Sequence, residues 1–138
     1  MRVLIVEDEP TSARLLEATI SPFAECQRAG NGEECFEKFC SAIDAGAPFD
    51  LIFLDIMMPG VDGQEALAAI REVEEGAGVA PDAGVKIVMT TALDDPQSLY
   101  HAHFSGCSEY LVKPICREDL MRTLRRLGLP PSHEQPKQ

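Results

Sequence analysis

The chain has 138 residues, is 45% hydrophobic and carries a formal charge of −11. That is material for one core and one domain, and the acidic balance argues against nucleic acid, whose phosphates call for clustered Lys and Arg. No cationic, apolar leader opens the sequence and no apolar run approaches the ~20 residues that span a bilayer, so the expectation is a cytoplasmic protein with no membrane segment.

Strand and helix signals alternate along the chain. Residues 3–6 are a short apolar, β-branched run, followed at once by Glu7, Asp8 and Glu9. Pro10 suits the first turn of a helix, Leu16 and Ile20 fall on one face of it, and Ser21-Pro22 marks its end. Residues 24–29 form a weak strand, polar enough for a sheet edge. Asn31 is a candidate N-cap for a helix carrying Cys35, Phe36, Phe39, Cys40 and Ile43, with Gly46 after its last turn. Residues 51–54 are apolar without alternation, the pattern of a central parallel strand buried on both faces. That run ends on Asp55, and Pro59 and Gly60 break it.

Ala66, Leu67, Ile70 and Val73 mark a third helix. Residues 76–84 are rich in Gly, Ala and Pro and read as an extended loop. Residues 85–90 are a β-branched strand, with Thr91 and Ala92 at or just past its end. Asp95-Pro96 starts a fourth helix with Leu99, Ala102 and His103 on one face, stopped by Gly106. Residues 110–112 are a fifth strand that ends at Lys113-Pro114. Leu120, Leu124 and Leu127 define the last helix, and Gly128 stops it. The domain therefore spans 1–128, and 129–138 reads as a disordered C-terminal tail.

Five cysteines (Cys26, Cys35, Cys40, Cys107, Cys116) include no CxxC pair and are expected as buried, reduced thiols. His101 and His103 stand two apart, so on a helix they point in different directions; a surface role suits them better than a zinc site.

Five strands, each followed by a helix, imply a parallel sheet with right-handed crossovers and helices on both faces. The two most apolar runs belong in the middle and the polar second strand at an edge. The expected fold is α/β, a flavodoxin-like (βα)5 doubly wound sheet of strand order 2-1-3-4-5.

Such sheets bind ligands beyond the carboxyl ends of their strands. There this chain places Glu7 and Asp8, Asp55, Thr91 and Lys113. Neighbouring strands are ~4.8 Å apart, so three carboxylates crowd together and oppose one another's ionisation. A divalent cation removes the conflict, and hard oxygen ligands favour Mg2+. Thr91 offers a hydroxyl and Lys113 a cation, both suited to phosphoryl oxygens. Each residue alone has a plain explanation: a loop-capping aspartate, a solvated helix entry, a strand threonine, a surface lysine. Complementary groups at all four strand ends favour the functional reading.

Glu7-Asp8, Asp55-x-x-Met58-Pro59 with Asp62-Gly63, Thr91-Ala92 and Tyr110-x-x-Lys113-Pro114 occur in this order at these strand ends. Over about residues 2–127 the chain thereby resembles the receiver domains of two-component response regulators, the CheY-like proteins. The resemblance implies that Asp55 accepts a phosphoryl group from the phosphohistidine of a sensor histidine kinase or phosphotransfer protein. It implies Mg2+ bound by Asp8, Asp55 and the backbone carbonyl of Met57, with Glu7 helping through water. Lys113 would contact the phosphoryl group, Thr91 and Tyr110 would form a switch pair, and Lys113–Pro114 would be cis. Asp55, Lys113 and Thr91 are then the catalytic set of a phosphoacceptor signalling protein, which catalyses its own phosphorylation and slow dephosphorylation and is no enzyme in the ordinary sense. Phosphoryl transfer needs mainly in-line positioning and compensation of oxyanion charge, and these groups supply both.

The sequence departs from the commoner pattern at Glu7, where aspartate is more usual, and at residues 74–84, which lengthen a connection. Met57 and Leu93, flanking the site, offer no hydrogen bond to an attacking water, so a long-lived acyl phosphate is expected. No output domain follows, so the expected output is a downstream effector protein bound at the face of the fourth helix, fifth strand and fifth helix. Lys113, Arg117, Arg122, Arg125 and Arg126 gather there, although the same cations also suit a helix C-terminus. Three alternatives stay open: an intermediate carrier passing phosphate to a histidine phosphotransfer domain, a phosphorylation-independent scaffold, and a phosphatase-like enzyme. The complete acidic site argues against the scaffold, and Met57 stands where the phosphatase would want a second acid.

Overall fold

Strand β3 (Leu51–Asp55) is buried at every position, as an apolar run without alternation requires when helices cover both faces of a sheet. The computed structural model describes residues 1–56, 63–80, 83–91 and 108–129. Within them β1 (Arg2–Val6), β2 (Glu25–Ala29), β4 (Lys86–Thr91) and β5 (Glu109–Val112) join β3 in one sheet. All pairings are parallel and the order is β2-β1-β3-β4-β5, the flavodoxin-like order expected. Polar β2 lies at an edge, with only Ala29 buried.

Helices α1 (Pro10–Ile20), α2 (Gly32–Asp44), α3 (Gly63–Gly76) and a C-terminal helix (Arg117–Arg126) complete the described elements. Glu9 caps α1 by accepting the Ser12 N–H at 2.8 Å, with Pro10 in the first turn. Asn31 caps α2 by accepting the Glu34 N–H, also at 2.8 Å. Each cap satisfies an amide that a first turn leaves without a helical partner. No helix among the described residues is long and apolar enough to cross a membrane.

Strand parity divides the core into two layers. Val3, Ile5, Phe53, Val88 and Leu111 pack with Ala13 and Ile20 of α1 and with Leu120 and Leu124 of the C-terminal helix. Leu4, Val6, Leu54, Ile87 and Met89 pack with Phe39 of α2 and with Leu67 and Ile70 of α3.

Two expectations need correction. Ile43 is 43% exposed, because the buried stripe of α2 runs through Cys35, Phe39 and Ala42 and Ile43 lies one position past its border. Among the described cysteines, all free thiols, only Cys35 is buried; Cys26 and Cys40 are half-buried and Cys116 is exposed. Cys116 sits at the N-cap of the C-terminal helix, its sulfur accepting the Asp119 N–H at 3.4 Å, a position that opens onto solvent. Burial pushes the Cys35 thiol up to about 12 and Cys26 up to about 11, which leaves both unreactive at neutral pH. The expected fourth helix with His101 and His103, Cys107, Met57, Leu93 and residues 130–138 of the tail lie outside the described residues, while Leu129 donates its N–H to the Leu124 carbonyl at 2.8 Å.

A buried carboxylate ties down the long connection after α3. Glu74, 9% exposed, accepts the Val85 N–H and an Arg71 Nη1–H, both at 2.7 Å. A Cβ on Gly84 would collide with the Glu74 carboxylate and the Arg71 guanidinium, so any larger residue here would displace the ends of both side chains. Glu74→Ala should cost about 2 kcal/mol, because it leaves a buried amide unmatched. Urea unfolding should show a lower midpoint at unchanged slope.

Candidate functional site

The carboxyl ends of four strands converge. β1 runs out into Glu7 and Asp8, β3 ends on Asp55, β4 ends on Thr91, and Lys113 follows β5. Parity decides which side chains meet. Glu7 lies two residues beyond Ile5, Asp55 beyond Phe53, Thr90 beyond Val88 and Lys113 beyond Leu111, so all four continue the layer that faces α1 and the C-terminal helix. β1 and β3 pair in register through Val6 and Leu54, which brings Glu7 and Asp8 level with Asp55. One carboxylate oxygen from each of Glu7, Asp8 and Asp55 lies within 4.8 Å of the others.

Lys113 reaches into this cluster. Its Nζ lies 2.5 Å from Glu7 Oε1 and 3.2 Å from Asp55 Oδ2. The other Glu7 oxygen accepts the Glu9 N–H at 3.2 Å. The Lys113 backbone N–H donates to the Thr91 carbonyl at 2.6 Å, and the Lys113–Pro114 peptide is cis. The Ile56 N–H donates to the Thr90 carbonyl at 2.9 Å, tying β3 to β4 just beyond Asp55.

The side chains of Glu7 and Asp55 are only 7% and 5% exposed, so solvent and salt screen their interactions weakly. Burial pushes the Glu7 carboxyl above its ordinary value; Lys113 pulls the other way, and neighbouring Asp55 adds to the rise. For Lys113 burial opposes the charge, but the pairing with Glu7 and Asp55 outweighs it and holds the ammonium above its ordinary value. Lys113 is a cation at neutral pH.

This donor set fits a divalent metal. Three carboxyl groups gather here around the Lys113 ammonium, and a divalent cation supplies the further positive charge that crowded carboxylates call for. The donors are hard oxygens, the kind Mg2+ takes alongside water.

A cavity of about 250 Å3 opens beside the cluster, with Glu7, Thr90 and Lys113 at its polar end and Leu15, Leu16 and Ile115 along an apolar wall. Thr90 was not foreseen from the sequence, although its parity with Val88 was a usable signal. Of the expected site residues, the fold unites Glu7, Asp8, Asp55 and Lys113. Thr91 is buried at the end of β4, paired in register with Val112. Tyr110 on β5 is 44% exposed. Met57 and Leu93 are not among the described residues.

The response regulator receiver domain family matches residues 3–125. The chain belongs to this family. It is 33% identical over 134 residues to the transcriptional regulatory protein TrcR of Mycobacterium tuberculosis, covering 96% of this chain and 47% of that protein. Receiver folds accompany the match. The chemotaxis protein CheY4 of Vibrio cholerae superposes with a TM-score of 0.75 at 28% identity, covering 91% of this chain and 97% of that one. The receiver domain of the Saccharomyces cerevisiae response regulator Ssk1, solved with the histidine phosphotransfer protein Ypd1, gives 0.77 at 30% identity, covering 93% and 88%. The receiver chain spans less than half of TrcR, and 15% of the Chaetomium thermophilum transcription factor SKN7, to which it is 35% identical over 127 residues and 91% of its own length. Receiver domains bind Mg2+ at their acidic pocket, and in this chain that pocket is Glu7, Asp8 and Asp55.

Proposed function

We propose that Asp55 accepts a phosphoryl group from the phosphohistidine of a sensor kinase or phosphotransfer protein, in a Mg2+-dependent reaction, and that the acyl phosphate changes affinity for a protein partner. The observation that carries this reading is a lysine ammonium reaching both Asp55 and Glu7 within a shielded cluster of carboxylates. An Asp55 oxygen attacks phosphorus as the phosphorus–nitrogen bond to histidine breaks, and the electron pair leaves with the imidazole. Lys113 offers its ammonium to the phosphoryl oxygens. Bound Mg2+ would add positive charge there, held by Asp8, Asp55 and the Met57 carbonyl, with Glu7 acting through water. Residues 1–128 are the functional unit in this reading.

The apolar wall of the cavity suits the donor. Leu15 is 65% exposed and lines the same cavity as Glu7 and Lys113, where a helix bearing the phosphohistidine would bury it. A similar receiver crystallised with a phosphotransfer protein supports that donor class. For the effector, the exposed Tyr110 and Val112 of β5 suit a docking face better than the arginines do. Arg122 pairs with Asp119 and Arg126 with Glu109 at 2.8 and 3.1 Å.

Two variants test the roles separately. Asp8→Ala should weaken Mg2+ binding more than Glu7→Ala does, because a direct ligand contributes more than one acting through water; a metal titration giving the reverse order would exchange the two roles. Thr91→Ala should accept phosphate yet fail to change partner affinity, because it deletes the hydroxyl that links phosphate to the switch. Equal partner binding by the phosphorylated variant and wild type would remove Thr91 from that link.

Incubation with a labelled phosphohistidine donor and Mg2+ tests the whole reading. Transfer to the chain, lost in EDTA, is the expected result, and efficient return to histidine would identify a relay carrier in place of a switch. No transfer from phosphohistidine or from acetyl phosphate would defeat the proposal.

A further inference from the structure

Helices α2 and α3 pack side by side on the face of the sheet away from α1. Between them runs an open groove of about 440 Å3, lined by Glu33, Phe36 and Glu37 of α2 and by Ala66 and Ala69 of α3. Its floor is apolar. Phe36 is half-buried, and Cys40 and Val73, one turn further along each helix, lie half-buried against the core layer beneath.

Carboxylates border this floor on both sides. On α2 the exposed Glu33, Glu37 and Asp44 recur at the spacing of one helix face; on α3 the exposed Glu65 and Glu72 stand one turn before and after Ala69. The basic residues of these helices point elsewhere. Lys38, the one base of α2, donates to the Arg28 carbonyl at the end of β2, and Arg71, the one base of α3, pairs with Glu74 at 2.7 Å. Among the described residues Glu33, Glu37 and Glu72 have no ion-pair partner, and Glu33 and Glu37 repel one another across a helical turn. Neither helix has a base in its last turn, where the carbonyl ends call for cations, and α2 ends on Asp44 instead.

These carboxylates are strung out along two helices and make no metal site: among the described residues only Glu7, Asp8 and Asp55 bring their oxygens close enough for one. An extended cationic partner matches them better. From Glu33 to Asp44 the α2 border runs about 16 Å, three turns of a helix, and the furrow between two packed helices accepts the side-chain ridge of a third.

We propose that the α2–α3 groove docks a basic amphipathic helix of a partner protein, its apolar ridge on Phe36 and Ala69 and its Lys or Arg side chains along the two acidic borders. The groove lies on the opposite face of the sheet from α1, so this partner and a phosphodonor seated at Leu15 would occupy the chain together. The proposal does not depend on phosphorylation of Asp55.

Titration of the 15N-labelled full chain at physiological salt tests it, the probe being a synthetic helical peptide of about four turns with a leucine stripe flanked by lysines. Saturable binding with amide shifts confined to α2 and α3 is expected. Glu37→Lys should weaken binding about fivefold, the scale of exposed charge pairs turned from attraction to repulsion. Glu118→Lys, the same charge change at an exposed position of the C-terminal helix, should weaken it by about twofold or less. A peptide with serines in place of the leucines should bind about tenfold more weakly, because the apolar floor is then left uncovered.

No saturable binding, shifts spread over the whole acidic surface, equal losses from Glu37→Lys and Glu118→Lys, or equal affinity of the serine peptide would each overturn the proposal. Sedimentation equilibrium of the chain alone closes the remaining route: a dimer that Glu37→Lys dissociates would give the groove to a second copy and overturn the partner assignment, whereas a monomer supports it. Neither measurement involves phosphate, so failure of Asp55 to be phosphorylated would leave this result standing.

Discussion

Asp55→Asn is expected to reduce phosphoryl uptake from a phosphohistidine donor to background while the protein stays folded. The amide keeps the shape but has no nucleophilic carboxylate. The fold should tolerate it because two effects oppose. One of three crowded carboxylates loses its charge, which relieves repulsion; Lys113 loses a partner at 3.2 Å but keeps Glu7 at 2.5 Å. Metal-free stability should therefore change by about 1 kcal/mol or less, within the range of single substitutions that open no cavity. Radiolabelling beside a circular-dichroism melt checks both halves, and stoichiometric labelling of the variant would mean that another residue accepts the phosphoryl group.

Lys113→Met should destabilise the metal-free protein by about 2–3 kcal/mol, with most of the loss recovered in Mg2+. Removing one partner of a buried ion pair costs about 3–5 kcal/mol; the lower figure applies because Lys113 is 20% exposed and water screens part of the effect. The three clustered carboxylates then lose the Lys113 ammonium that pairs with two of them. Mg2+ at about a hundred times its dissociation constant contributes about 2.7 kcal/mol to whichever state binds it, enough to offset the loss. The pH dependence carries the same signature. Lys113 is held above the ordinary lysine value of 10.5, so its contribution is fully present below that pH and lost as pH rises through the folded value. Wild type in EDTA should lose stability in that alkaline range by more than Lys113→Met does. Equal alkaline losses, measured by denaturant unfolding across the range, would show that the ion pairs do not stabilise the cluster.

Much of this molecule was legible in its sequence because burial writes a direct pattern. The apolar run of residues 51–54 had to be central, the polar stretch at 25–29 had to lie at an edge, and those two placements fix most of the strand order. The site was legible because charged groups stood where apolar strands end. Other features depend on how distant segments meet in space. That Lys113 reaches both Glu7 and Asp55 is a matter of side-chain approach, which spacing does not encode. Thr90 shares the parity of Val88, which the sequence does show, but its place on the cavity beside Glu7 and Lys113 depends on how the strands pair. Ile43 looked buried by periodicity, yet the smaller Ala42 lies nearer the stripe centre. The Glu74 tether joins a helix end to a strand start across a glycine whose role depends on a carboxylate ten positions earlier.

The most direct test of the central claim traps the acyl phosphate chemically. The chain would be incubated with a phosphohistidine donor and Mg2+, reduced with borohydride, which converts an aspartyl phosphate to homoserine, and mapped by mass spectrometry. Homoserine at position 55, absent when EDTA replaces Mg2+, is the predicted result. Homoserine in place of Asp8 or Asp62 with position 55 unmodified, or a stable phosphoester on a hydroxyl side chain, would contradict it.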